Sequence, residues 1–578
     1  MDAMPAGAPL NTAAPTATIA LSLPHGLPGD APVRIAAPLL ALFCLSSLWS
    51  TSSAEDAKPL QFHLRARVET TTGSGRYHLR TTPESWAPSE TAIILCDVWD
   101  AHHCLRAVQR GAELAPRLNE VVQSLRGQGA TVIHAPSDCM AYYEKSPARD
   151  RARSTLKSKT LPADITSWCR KIPAEEAGTY PVDQSDGGED DEPQEHAEWA
   201  KILAAQGRNP RLPWKKQADA IEIDEAKDYV SDKGDEVWSI LEARGIKNVI
   251  LAGVHTNMCV LGRPFGLRQM AKNGRHVVLM RDMTDTMYNP ARWPYVSHFT
   301  GTDRVVEHIE KFVCPTITSD QVLGGSPLRF RHDRRPRLAI VIAEDEYKTE
   351  VTLPKFASEV LGRDFDVTLL FGSDTERNVI PNLDLIDDAD ILLVSARRRV
   401  LAPEAMKHLR DFAASKKPIL GIRTASHAWS LRNMPAPEGF EAWPEWDAEA
   451  FGGNYTNHHP AGKTTKVTLI ADASNGPLPR GLPADGFTST ASLYKVAPLR
   501  SGTAPILTGT IEGAPAEPIA WTFTRKGGGT SFYASLGNTD DFENPAFQKL
   551  LLNALSELSG LPVPESLPQN GPEPEKKI

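Results

Sequence analysis

The chain has 578 residues, with 63 Lys+Arg against 72 Asp+Glu and a formal net charge of −9. Hydrophobic residues make up 41% and charged residues 23%, a globular balance that excludes a disordered chain or a small disulfide scaffold. The acidic excess argues against a nucleic-acid-binding face, and the length calls for several domains of about 100–200 residues each.

Residues 34–54 read RIAAPLLALFCLSSLWSTSSA: a basic residue, an apolar run, then small residues. This is the pattern of a secretory signal with cleavage after Ala54. The Ala/Pro-rich stretch before it is longer than a usual n-region, and a start at Val33 would give an ordinary one. The expectation is a leader over 1–54 and an exported protein, periplasmic or extracellular; without a signal it is cytoplasmic. No span crosses a membrane once the signal is removed. Outside the leader, Cys96, Cys104, Cys139, Cys169, Cys259 and Cys314 form no CxxC pair, which disfavours zinc ribbons and thioredoxin-type redox motifs.

Residues 55–90 read as a β-hairpin, since QFHLRARVE and GRYHLRTT alternate around the turn-prone TTGSG. From residue 91 strands and helices alternate. TAIILC is a continuous apolar run suited to a strand buried on both faces. A helix follows at 104–126, then the strand ATVIHA. An irregular insertion runs over 140–218, and its acidic stretch SDGGEDDEPQEHAE reads as a solvated loop whose spacing fits no EF-hand. A helix near 232–244, the strand KNVILAG, a helix beginning around Met258 (interrupted at Pro264), the strand HVVLM and a helix near 302–312 complete a domain over 91–315. After a linker at 316–336, a second α/β domain over 337–560 has strands RLAIVIA, DVTLLF, DILLVSA and KPILGIR. Its helices fall near 403–415 and 545–559, with a late hairpin from IAWTFTR and GGTSFYASLG. The Pro/Glu/Lys-rich tail over 561–578 reads as disordered. The fold class is α/β: two Rossmann-like three-layer domains with mostly parallel sheets.

Ligands of open α/β sheets gather outside the carboxyl ends of the strands. Asp97 directly follows TAIILC, Cys259 follows NVILAG through VHTNM, and Asp282 follows HVVLM by one residue. A cysteine at a helix start gains from the dipole and free amides, which favour thiolate. An acid on a neighbouring strand can take and return its proton. An isolated cysteine is ordinarily a small buried hydrophobe; its company here turns the reading toward catalysis. Trp99, His103, Arg263 and Asp282 are candidate pocket residues, and Arg263 can clamp an anionic group.

GVHTNMCV resembles the GxxTxxCV signature of isochorismatase-like cysteine hydrolases, and ILCDVWD resembles their strand-end Asp motif. The resemblance spans about residues 90–315 and implies a Rossmann-like fold with an Asp–Lys–Cys triad. Cys259 matches the nucleophile and Asp97 the acid/base. KDYVS resembles the family's lysine segment, which makes Lys227 the third member; Lys215 and Lys216 compete. The resemblance also implies a cis peptide at Val254–His255 and an oxyanion hole from the amides of Met258 and Cys259. Members with this triad mostly cleave amide-type C–N bonds, so the expected activity is hydrolysis of a small amide-like substrate through a thioester. HAPSDCMAYY lacks the DxH element of metal-dependent nicotinamidases, so no metal or other cofactor is expected. The WCRKIP, SDGG and PWKK elements of the insertion would cap the pocket or form an oligomer surface.

KPILGIRTASHAW, FGGNY, SLYKV and FYASLGNTDDFENPAFQKLLLNAL resemble the trehalose-utilisation (ThuA-like) branch of the class I glutamine amidotransferase-like fold. No cysteine follows Cys314, so thiol-based glutamine hydrolysis is excluded there. The family's elbow histidine is replaced by Arg423, with His427 next nearest. Arg423, His427, His458 and Glu344 form the candidate second site, for which the resemblance suggests a carbohydrate. Three readings stand at this stage: an amidase-like hydrolase, a non-catalytic ligand-binding or scaffolding protein, and a bifunctional saccharide-metabolising protein. Homo-oligomerisation is compatible with each.

Overall fold

The computed structural model describes residues 58–471 and 476–572. The signal segment lies outside the described residues. Among the described residues, no helix is long and apolar enough to cross a membrane.

The first half contains strands β1 (Leu60–Glu69), β2 (Tyr77–Trp86), β3 (Thr91–Cys96), β4 (Thr131–Ala135), β5 (Tyr229–Val230), β6 (Asn248–Val254), β7 (His276–Asp285) and β8 (Thr316–Ile317). Its helices are α1 (Leu105–Gly127), α2 (Pro147–Ser154), α3 (Pro193–Ala205), α4 (Gly234–Ala243), α5 (Leu267–Lys272), α6 (His298–Phe312) and α7 (Asp320–Leu323). The strands form one sheet in the order β2-β1-β8-β7-β6-β3-β4-β5. β3 to β8 pair in parallel, and the β1–β2 hairpin adds antiparallel through β8.

Alternation in β3 explains the layers. Ala92, Ile94 and Cys96 pack on the face that also buries Val237, Leu241, Met270, Val305 and Ile309 from α4, α5 and α6. Ile93 and Leu95 pack on the opposite face with Leu114, Leu118, Val122 and Leu125 of α1. Each fully buried Val, Leu, Ile or Met side chain among them contributes about 1.5–3 kcal/mol.

The second half contains β9 (Arg337–Ala343), β10 (Asp366–Phe371), β11 (Ile391–Ala396), β12 (Ile419–Ile422), β13 (Asn457–His458), β14 (Thr465–Leu469), β15 (Phe487–Ser489), β16 (Tyr494–Lys495), β17 (Thr503–Thr510), β18 (Glu517–Thr524) and β19 (Thr530–Ala534). Its helices are α8 (Thr349–Phe356), α9 (Pro403–Ala414) and α10 (Pro545–Leu558). The main sheet runs β10-β9-β11-β12-β19-β18-β17-β14-β15. Its first five strands pair in parallel and the rest are antiparallel. β13 and β16 form a separate small ladder.

Both parallel arrangements reverse direction once. In the first sheet, β3 lies between β6 and β4; in the second, β9 lies between β10 and β11. The crevices at the carboxyl ends of β3/β6 and β9/β11 are therefore the topological switch points, where ligands of such sheets bind.

Three expectations are corrected. The 316–336 linker is shorter than read, because β8 pairs with both β7 and β1 and α7 follows it. The acidic stretch is not a solvated loop: Asp190 accepts from Arg110 Nη1 at 2.8 Å, and Asp191 accepts from the Leu105 and Arg106 amides at the start of α1. The tail is ordered through Pro572, because its carbonyls meet donors of the body. Lys549 Nζ donates to Pro564 O at 2.5 Å, Arg363 Nη2 to Gln569 O at 3.1 Å, and Tyr295 Oη to Pro572 O at 3.1 Å.

Candidate functional site

At the first switch point, Asp97 leaves β3 with φ of 51° and is fully buried. Its carboxylate accepts from the Ser137 amide at 2.7 Å and from Arg263 Nε at 3.0 Å. β6 leads into a single π-helical turn, Thr256–Val260, that carries Cys259. Arg263 follows one turn later, and its amide donates to the Cys259 carbonyl at 3.0 Å. Cys259 and Arg263 thus share one face at i,i+4 spacing. Arg263 also reaches Asp138 at 3.2 Å and lies 4.7 Å from the centre of the Trp168 ring.

The electrostatics follow from this burial. Desolvation pushes the Cys259 thiol well above its ordinary value, Asp97 adds to that, and Arg263 opposes it. Burial also raises Asp97, against Arg263, Ser137 and Cys259. The resting pair therefore holds its proton, and Arg263 stays cationic between the two acids. This arrangement can pass one proton between sulfur and carboxylate beside a fixed positive charge.

The expected lysine is not there. Lys227 is largely exposed, with Nζ 3.6 Å from Asp224. It precedes the edge strand β5, whose pairing with β4 leaves it outside the crevice. Lys216 pairs with Asp219. Among the described residues, no lysine contacts Asp97 or Cys259; Arg263 takes that position.

A cis peptide bond joins Val254 and His255, at the place the resemblance implied. The Met258 amide, however, donates to the His255 carbonyl at 3.0 Å, so it is already satisfied and does not serve as an oxyanion donor here. Asp282 is also displaced from the crevice. β7 continues to Asp285, beyond the HVVLM run, and Asp282 accepts from Ser319 N at 2.8 Å, Ser319 Oγ at 2.6 Å and Leu328 N at 2.9 Å. Asp285 takes the strand-end position, buried between Arg110 Nε at 2.8 Å and His298 Nε2 at 2.9 Å.

Aromatic rings wall the crevice. Trp99 stacks on Trp214 at 4.4 Å, and His102 lies 3.9 Å from His103 and 4.8 Å from His255. Burial lowers His255 to about 4, opposed by Asp285, which keeps it neutral at pH 7. The insertion supplies Trp168 and Trp214, and Ala218 N donates to Val98 O at 2.8 Å. WCRKIP and PWKK thus flank the Cys259 cluster. From the SDGG side, Gln184 Nε2 donates to Asn257 O at 3.2 Å. Trp168 and Trp214 belong to the WCRKIP and PWKK elements expected at the pocket, but which of their side chains reach it depends on long-range folding of the insertion. Sequence reading had Arg263 in the pocket but not as the charge partner of Asp97, for which the i,i+4 spacing from Cys259 was the available signal.

Beside the second switch point, on the strand next to β11, Arg423 leaves β12 with φ of 44°. It is buried, donating to Ser535 O at 2.7 Å and Ser492 Oγ at 2.8 Å. Its guanidinium lies 4.5 Å from the Tyr347 ring and 4.4 Å from Tyr494. His427 stacks on Tyr455 at 4.5 Å, and burial with Arg398, Arg397, Arg423 and Arg432 nearby lowers it to about 3. Two candidates do not join them. His458 is exposed on β13, its Nδ1 2.8 Å from the His459 carbonyl. Glu344 is spent as a cap, accepting from the amides of Glu346, Tyr347 and Thr349 at 2.7, 2.8 and 2.9 Å.

Residues 373–556 match the ThuA family model, described as trehalose utilisation. No curated protein matches the chain. Among solved structures, a putative ThuA-like protein from Bacteroides uniformis is 16% identical, covering 40% of this chain and 95% of its own, with a TM-score of 0.31. A putative ThuA-like protein from Parabacteroides merdae is 13% identical, covering 42% and 94%, with a TM-score of 0.29. A cysteine hydrolase from Pseudomonas syringae pv. phaseolicola is 15% identical, covering 41% and 92%, with a TM-score of 0.24.

Proposed function

We propose that the first half is a cysteine hydrolase of the isochorismatase-like type that cleaves an amide-type C–N bond of a small substrate. The second half is an accessory ThuA-like half. The observation that carries this reading is the Cys259–Asp97–Arg263 cluster at the switch point of the first sheet, with Arg263 Nε 3.0 Å from Asp97.

The chemistry balances without a cofactor. Cys259 sulfur attacks the carbonyl carbon while Asp97 accepts the thiol proton. Asp97 delivers that proton to the leaving nitrogen, the C–N bond breaks and a thioester remains. Asp97 then takes a proton from water, the hydroxide attacks the thioester, and the acid leaves as sulfur is reprotonated. Because the thiol rests protonated, Asp97 must remove the proton during attack. Arg263 holds the carboxylate in place and offsets the charge that grows on sulfur.

The second reading, a fold kept for ligand binding without turnover, is favoured by one observation: the Met258 amide is already bonded to His255 O. Ammonia release separates the two. The protein is incubated with a panel of small primary amides and N-carbamoyl compounds. Release by the wild-type protein and none by Cys259→Ser supports the hydrolase. No release from any member, or equal release by both proteins, supports binding without turnover.

A further inference from the structure

We infer that the crevice at the carboxyl ends of β9, β11 and β12 binds a small molecule through a carboxylate or phosphate group, held by Arg398 and Arg432. This stands independently of the reading of Cys259.

Three strand-end loops converge there. The loop after β9 brings Tyr347, whose Oη accepts from Arg423 Nη2 at 3.3 Å. The loop after β11 brings Arg398, whose amide donates to the His427 carbonyl at 3.1 Å. The turn after β12 brings Arg423 and His427. Tyr455 and Tyr494 close the group, with ring centres 4.5 Å apart. Lys348, Arg398 and Arg423 have φ of 55°, 48° and 44°, so each of the three loops carries a non-glycine residue in the left-handed region. Such conformations cost free energy and concentrate at ligand sites.

The charge there is unbalanced. Arg397 is answered by Glu346 at 2.6 Å and Asp345 at 3.6 Å. Arg423 Nη1 and Nη2 meet carbonyls and hydroxyls, its buried Nε has no partner, and among the described residues no carboxylate pairs with it. Among the described residues, the Arg398 and Arg432 side chains have no acidic partner. Burial lowers Arg398 and His427, and the positive charge of Arg432 beside Arg398, and of both arginines beside His427, adds to it. The acid in range of Arg423, Asp541, is spent on Ser489 Oγ at 2.6 Å and the amides of Gly537 and Asn538 at 2.8 and 3.2 Å. In the neighbouring cavity at the ends of β9 and β10, by contrast, Arg76 pairs with Asp374 at 2.9 Å and Arg377 with Asp345 at 2.6 Å. Arg398, half-buried, and Arg432, exposed, are arginines without counter-charge that suit a planar or tetrahedral anion. His427, neutral at pH 7, still has Nε2 free of any partner among the described residues, and Nε2 can donate to the same anion.

The test is thermal unfolding of the full chain with inorganic phosphate, glucose 6-phosphate, glucuronate or glucose. An anionic probe should raise Tm by about 3 °C or more, less at high salt, whereas glucose leaves it unchanged. Arg432→Gln and Arg398→Gln should unfold at the wild-type temperature without ligand and lose the shift. Arg432 is exposed, so its variant keeps the fold. A shift with inorganic phosphate alone identifies a free anion as sufficient. A shift restricted to glucose 6-phosphate or glucuronate identifies an anionic sugar. Equal stabilisation by glucose, an undiminished shift in both variants, or no shift with any anion overturns the inference.

Discussion

Arg263 donates from Nε to Asp97 Oδ2 at 3.0 Å while its backbone amide holds the Cys259 carbonyl. One residue therefore ties the strand-end acid to the cysteine turn and supplies the only cation that opposes the upward push on the thiol among the main causes of that shift. Removing the cation disfavours thiolate, and removing the carboxylate favours it. Arg263→Gln should move the pH midpoint of Cys259 alkylation by iodoacetamide up by about one unit, and Asp97→Asn should move it down by a similar amount. Site-resolved peptide mass spectrometry reads both. Asp97→Asn should nonetheless lose amide hydrolysis, since the leaving nitrogen then has no proton donor.

Lys227→Ala should change neither the Cys259 midpoint nor the stability by more than about 0.5 kcal/mol. Lys227 is solvent-exposed and, among the described residues, pairs with Asp224 at 3.6 Å, an exposed pair of little worth. A loss of Cys259 reactivity in this variant would return the lysine to the site.

Glu175 gives the fold an acid-sensitive joint. It accepts from Arg268 Nη2 at 2.7 Å and faces His308 Nε2 at 2.8 Å. Burial pushes its carboxyl up, but His308, Arg268 and the Ile172 amide outweigh this and hold it at about 2. Its unfolded value is about 4.3. A depressed acid stabilises the fold above its unfolded value, and that contribution is lost as pH falls from about 4.3 toward 2. Urea denaturation against pH should show this loss in the wild type and a flatter profile in Glu175→Gln. At pH 7 the variant should be less stable by about 3 kcal/mol, because Arg268 is left buried without its partner.

Gly253→Ala should break the crevice from beneath. Gly253 has φ of +115°, and a Cβ there would sit 2.0 Å from the Cys96 carbonyl oxygen. That oxygen belongs to the strand paired with β6, so nothing flexible can yield. A loss of about 3 kcal/mol or more is expected in urea denaturation.

Much of the α/β frame was legible because central parallel strands are continuous apolar runs. TAIILC and DILLVSA could hardly be anything else, and β3 and β11 are buried throughout. β14, β15 and β17 were not legible, since TAPILTGT and its neighbours are Thr/Pro/Gly-containing antiparallel segments defined by their partners. α8 was hidden by Pro354. In the site, Asp97 could be found because it follows its strand directly, and Cys259 because the short GVHTNMCV segment carries it just past the end of β6. Asp285 could not, because polar Arg281 and Asp282 break the apolar run while the strand itself continues to Asp285. Trp168 and Trp214 reach the crevice only through the folding of a long insertion. Arg398 and Arg432 carry no motif, and their meaning lies in the absence of acids around them.

The most direct test of the central claim is rapid-quench peptide mass spectrometry of the protein mixed with an amide from which it releases ammonia. The account predicts an acyl mass on the peptide containing Cys259, formed at the rate of the first turnover and absent in Cys259→Ser. Ammonia release with Cys259 unmodified, or an adduct on any other residue, would contradict it.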